Sequence, residues 1–123
     1  MNNFILECSP KTKTTKPLEA DSLREVMRAL KSHHLVAWCE RQNTGVAKVG
    51  GRFIKFGWTG CSDILGQLKD GRLLAVEVKK PKGGKLTDEQ VFFLELVRKH
   101  GGVSFVATSL LDVFNNLGDI NDK

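Results

Sequence analysis

A single α/β domain, a mixed sheet flanked by helices, is the fold class this sequence predicts, and three observations predict it. Apolar residues recur at helical spacing over 17–32 and again over 86–100, and runs of strand formers lie between and after these segments. The chain has 123 residues, enough for one buried core and too few for two independent ones.

Residues 1–16, ending in SPKTKTTK, mix turn formers with lysines and carry no apolar period, so they read as a flexible N-terminal arm. The domain is expected over 17–123. In its first helix Leu23, Val26, Met27 and Leu30 share a face, with Arg24, Arg28 and Lys31 opposite. HLVAWCER follows as a strand, then a turn at 43–45, a strand at 46–49, Gly50-Gly51 and the strand RFIKFGW. These three read as a short meander.

DILGQL and RLLAVEVKK are two strands around Lys69, Asp70 and Gly71, and read as a hairpin. Over 86–100 Thr87 can cap a helix and Gln90 can close its capping box, while Gly101-Gly102 ends it. VSFVAT is then a buried strand and SLLDVFNNL a last short helix. Trp38 and Trp58 read as core or sheet packing rather than as base-stacking platforms.

Lys and Arg number 19 against 14 Asp and Glu, so the net charge is +5 and a polyanionic partner fits. Cys8, Cys39 and Cys61 are an odd, scattered set, which speaks against a disulfide framework or a zinc knuckle and for a reducing cytoplasm. His33, His34 and Cys39 lack a suitably spaced fourth ligand. No apolar run approaches the roughly 18 residues of a membrane span. The apolar stretch before Pro10 is too short for a signal peptide.

In RLLAVEVKK, strand alternation puts Glu77 and Lys79 on one face with Leu73 and Ala75, and Leu74, Val76 and Val78 on the other. A charge in so apolar a strand needs a partner or a task. Hairpin register decides whether Asp63 joins them. A two-residue Asp70-Gly71 turn sets Asp63 opposite Val78, whereas a three-residue loop with Gly71 left-handed and a bulge sets it opposite Glu77. Lys-Asp-Gly suits the second. Carboxylates directly opposite on an antiparallel pair have Cβ atoms about 5 Å apart and repel, which makes a site for a hard divalent ion, usually magnesium beside phosphate.

GCSD at 60–63, thirteen residues, then EVK at 77–79 is similar to the PD-(D/E)XK nuclease signature, with Cys61-Ser62 where many members carry a proline before the aspartate. ERQNTG (40–45), FGWTGCSDILG (56–66), GRLLAVEVKKPKGGKLTDEQ (71–90) and GGVSFVATS (101–109) resemble one branch, the virus-type replication-repair nuclease (VRR-NUC) domain. The resemblance runs from Pro17 onward.

It implies a restriction-endonuclease-like fold and Mg2+- or Mn2+-dependent hydrolysis of DNA phosphodiesters. Asp63, Glu77 and the Val78 carbonyl would hold the metal, Lys79 would position or deprotonate the attacking water, and Gln90 would help orient the site. The family's first helix also supplies a glutamate. Glu19 lies within the apolar stripe and Glu25 points away from it, so Glu19 is preferred, although an acid in a first turn suits the helix dipole unaided. Stand-alone members resemble structure-selective homodimers that cut branched DNA such as four-way junctions.

Lys80, Lys82 and Lys85 sit on the loop leaving the Glu77 strand and, with Arg41, are expected to contact phosphates; Lys48, Arg52 and Lys55 could extend that surface. Two rival readings share these residues: a DNA-binding module of the same fold that does not cut, and a nuclease acting on flaps, single strands or RNA.

Overall fold

Helix α1, Glu19–Ser32, turns its predicted stripe inward: Val26 and Leu30 are fully buried, while Arg24, Arg28 and Lys31 face solvent. The computed structural model describes residues 19–43 and 45–118. The expected arm over 1–16 and the ends of the expected domain, 17–18 and 119–123, lie outside the described residues.

Among the described residues six strands follow, in the order β1 (Val36–Arg41), β2 (Gly45–Val49), β3 (Arg52–Phe56), β4 (Ile64–Leu68), β5 (Leu73–Val78) and β6 (Val103–Ala107). The main sheet runs β1-β4-β5-β6. It is mixed, since β1, β4 and β5 pair antiparallel and β6 joins β5 in parallel. A parallel neighbour needs a crossover, which α2 (Asp88–Lys99) supplies. Helix α3, Leu110–Leu117, then packs with α1 and β6.

The expected meander does not form. β1 pairs with β4, and β2 with β3 makes a separate two-stranded sheet. The cause lies in both parts. Val36 and Cys39 of β1 are buried in the core that β4 also enters, while Gly50 (φ +58°) and Gly51 (φ +81°) close β2 onto β3 through a two-residue turn needing positive φ at both positions. The tryptophans also lie outside the core. Trp38 is 49% exposed, with its Nε1 donating to Gln67 Oε1 at 3.0 Å, and Trp58 is 59% exposed.

β5 is the centre of the domain, buried from Leu74 to Val78. Leu74, Val76 and Val78 enter the main core with Val26, Leu30, Val113 and Leu117. On the opposite face Ala75 packs with Phe93 and Val97 of α2, and Glu77 is next along.

Candidate active site

The loop between β4 and β5 has three residues, Lys69-Asp70-Gly71. Leu68 N–H donates to Arg72 O and Gly71 N–H to Leu68 O, each at 2.8 Å, with Gly71 at φ +99°. Ile64 therefore pairs with Val76 and Gln67 with Leu73. One step further, this register sets Asp63 opposite Glu77. Asp63 lies where the strands end, and its Oδ2 accepts from Val78 N–H at 2.8 Å.

Glu77 is 1% exposed. Its Oε2 accepts from Gln90 Nε2 at 2.8 Å and lies 3.6 Å from Lys79 Nζ, while its Oε1 is buried with no hydrogen-bond partner. Burial, then the Asp63 charge, push the Glu77 carboxyl up to about 8; the Lys79 ammonium opposes them. The Cys61 thiol, packed on the small α2-side core, is raised by burial and then by Glu77 and Asp63.

Gln90 has two tasks. Its backbone N–H donates to Thr87 Oγ1 at 3.1 Å and its Oε1 accepts from Thr87 N–H at 2.9 Å, closing the capping box, and this leaves Nε2 for Glu77. Two glycines permit close approaches around the site. A Cβ on Gly60 would come within 2.7 Å of Glu89 O on α2, and one on Gly84 within 2.9 Å of Lys79 Cβ. The loop after β5 thus folds back along Lys79, with Lys80, Lys82 and Lys85 exposed on it. The glycines were visible in the sequence, but not their neighbours.

On the α1 side a cleft of about 510 Å³ is lined by residues that include Glu19, Arg24, Arg41, Asp63 and Val78. Glu19 thus shares a cleft with Asp63, whereas Glu77 and Lys79 do not line it. Among the described residues no three His, Cys, Asp or Glu side chains gather closely enough to hold a metal ion. Glu25 is engaged elsewhere: its Oε2 accepts from Leu110 N–H at 2.8 Å at the start of α3.

Two carboxylates offer a hard cation oxygen donors, and one of those oxygens is buried without a proton donor. Magnesium commonly takes one or two carboxylates and completes its shell with water and phosphate, so the absence of a third acid is compatible with it. These residues fit such an ion.

An α/β domain with paired acids, an amine and an amide at the open end of its central hairpin is the class this fold and site define. A family model of the VRR-NUC domain matches residues 7–110, and the chain belongs to that family. It is accordingly a nuclease domain, with DNA as its partner. Searches of curated proteins and of solved structures return no match. No helix among the described residues is long and apolar enough to cross a membrane.

Proposed function

We propose that this domain is a Mg2+- or Mn2+-dependent DNA endonuclease with a restriction-endonuclease-like PD-(D/E)XK core. The observation that carries the reading is Glu77 Oε1, a buried carboxylate oxygen with no donor, on a side chain whose carboxyl is already raised by burial and then by Asp63. Leaving such an oxygen unsatisfied costs on the order of 1–3 kcal/mol or more, which a bound cation would offset. Asp63, Glu77 and the Val78 carbonyl would hold the ion; Glu19 lines the α1-side cleft with Asp63 and would join them only by closing the distance that now keeps the three acids from clustering.

When bound, the ion would polarise the scissile phosphate and acidify a water. Gln90 fixes the rotation of the Glu77 carboxylate through Oε2, so that Oε1 stays available. Lys79 holds its amino group beside that carboxylate and would position the attacking water as an ammonium or, as the neutral amine, accept its proton. Hydrolysis leaves a phosphate on one fragment and a hydroxyl on the other. Arg41, Lys80, Lys82 and Lys85 would contact flanking phosphates, and all four are exposed.

The finer reading is a homodimer that cuts branched DNA such as four-way junctions, two copies nicking two strands. The free thiols of Cys39 and Cys61 suit the cytoplasm.

The test incubates wild type, Asp63→Ala and Lys79→Ala with junction, flap, duplex and single-stranded DNA and with RNA, under magnesium, manganese or chelator. Wild type should cut branched DNA with a divalent ion alone, and both variants should lose at least about a hundredfold. Wild type that cuts nothing, or variants that cut as well as it does, would end the proposal. Sedimentation of the full chain measures the dimer.

A further inference from the structure

The β2–β3 hairpin stands apart from the main sheet, and two strands alone are marginally stable in water. It nevertheless exposes large apolar side chains: Phe53 is 74% exposed, and Val46 and Val49 more than half. Apolar surface with no place in a core marks a contact to a partner.

The charge pattern says which partner. From Arg41 through Ser62 the chain contains no Asp or Glu, but it carries Arg41, Lys48, Arg52 and Lys55. Among the described residues none of these four forms a salt bridge. Lys48 pairs with Phe53 and Lys55 with Val46, so one face of the hairpin presents both lysines around the phenyl ring. The Lys48 ammonium lies 5.8 Å from that ring's centroid. Cations next to exposed aromatic faces fit a polyanion that also has flat apolar faces, which describes a nucleic acid with its bases unstacked.

The ribbon leads to the acids. Two residues past β3, Trp58 sets its ring edge-on to Phe93 at 4.9 Å, and Cys61 N–H donates to Trp58 O at 2.9 Å. Phe93 is three residues after Gln90 on α2, about 4.5 Å along the axis, and the Gln90 amide binds Glu77. An anchored, mostly exposed indole therefore packs on a helix residue that is less than one turn from Gln90, the partner of Glu77.

We infer that Lys48, Phe53, Lys55 and Trp58 form a grip for unpaired nucleotides, making the preferred substrate class DNA with single-stranded or unstacked bases beside the scissile phosphate. The lysines take phosphates. The rings stack on bases, which needs no sequence code because every base has a π-face. Fully paired duplex offers the lysines their phosphates but withholds its base faces. This inference rests on the nuclease reading for what happens next, and on its own for binding.

The test measures affinity by anisotropy with full-length protein carrying Asp63→Ala to prevent cutting. The probes are a labelled oligothymidylate, a duplex of equal length, the same duplex with an internal unpaired gap, and oligouridylate. A second preparation carrying Trp38→Phe isolates Trp58 emission. Oligothymidylate and the gapped duplex should bind more tightly than the paired duplex and quench Trp58. Phe53→Ala and Trp58→Ala should each weaken the unpaired probes by roughly five- to a hundredfold and leave the paired duplex little changed. Trp58→Phe should restore most of the loss, and Lys48→Ala with Lys55→Ala should weaken every probe and flatten the salt dependence.

Equal binding of paired and unpaired probes overturns the inference, as does an unchanged affinity for oligothymidylate in Phe53→Ala and Trp58→Ala. Tighter binding of oligouridylate overturns the assignment to DNA. Cutting by wild type in magnesium is scored separately. Cleavage without preference for unpaired DNA preserves the nuclease reading and removes the grip, and preference without cleavage does the reverse.

Discussion

Gln90 Nε2 donates to Glu77 Oε2 at 2.8 Å while the same side chain's Oε1 accepts from Thr87 N–H at 2.9 Å, so one amide both closes the cap of α2 and aims a buried carboxylate. The cap determines which end of the amide faces the site. Helix stability and site geometry are thereby coupled through one residue, and the coupling can be separated by mutation.

Thr87→Ala removes the hydroxyl half of the cap and leaves Gln90 Nε2 in reach of Glu77. It should lower stability by about 1 kcal/mol and change cleavage less than Gln90→Ala does. Gln90→Ala loses the cap partner and the Glu77 donor together, and should slow cleavage about tenfold or more because the carboxylate is free to rotate. Thermal melts and single-turnover rates of both variants check this. Equal rates for the two would show that the bond to Glu77 does nothing for the reaction.

Glu77 also predicts how stability follows pH. Its carboxyl titrates near 4.5 in the unfolded chain and near 8 in the metal-free fold, so between those values the folded state holds a proton that the unfolded state has released. Stability of metal-free protein should therefore fall as pH rises from about 4.5 to 8. Glu77→Gln should flatten that slope. Magnesium should raise the melting temperature more at pH 8 than at pH 5, each kcal/mol being worth roughly 3–6 °C in a chain of this size. A slope in Glu77→Gln as steep as in wild type would assign it to other groups.

Gly60 sits at φ +89° against the Glu89 backbone, whereas Gly50, at φ +58°, has nothing within 4 Å of where its Cβ would be. Gly60→Ala must move the loop off the start of α2, with Cys61 to Asp63 behind it. A loss of about 2–3 kcal/mol and slower cleavage are expected. Gly50→Asn should cost about 1 kcal/mol or less and leave cleavage of paired DNA unchanged, because asparagine tolerates that backbone and the space is open. Paired denaturation curves decide.

The two acids of α1 should separate cleanly. Glu25→Ala removes the acceptor for Leu110 N–H at a helix start where the Ser109 side chain makes no cap, and should lower stability by about 1 kcal/mol with cleavage unaffected. Glu19→Ala should leave the melting curve nearly unchanged and raise the magnesium concentration needed for cutting. Magnesium titrations that coincide for wild type and Glu19→Ala would remove Glu19 from the proposed ligand set.

Much of the candidate site was legible because it is written in short-range rules. Alternation along 73–79 separates Glu77 from Val76 and Val78, and Lys-Asp-Gly selects the loop whose register brings Asp63 across from Glu77. Thr87 and Gln90, three residues apart, announce the capping box. The partner of β1 was not legible, since Val36 pairs with Leu68 far along the chain and no local signal distinguishes that from pairing with β2. The exposure of Trp38 and Trp58 was hidden for the same reason.

By itself, the sequence determined which residues share a face, where the helices begin, and that two acids and a lysine would meet on one hairpin. Periodicity, turn chemistry and caps act within a few residues, so a string of letters carries them. Only the tertiary structure decided that α2 would cross over to place Gln90 on Glu77, leave Glu77 Oε1 buried without a donor, engage Glu25 at α3, and set the β2–β3 ribbon apart from the sheet. Each of these is a contact between segments distant in the chain, chosen by how the whole core packs.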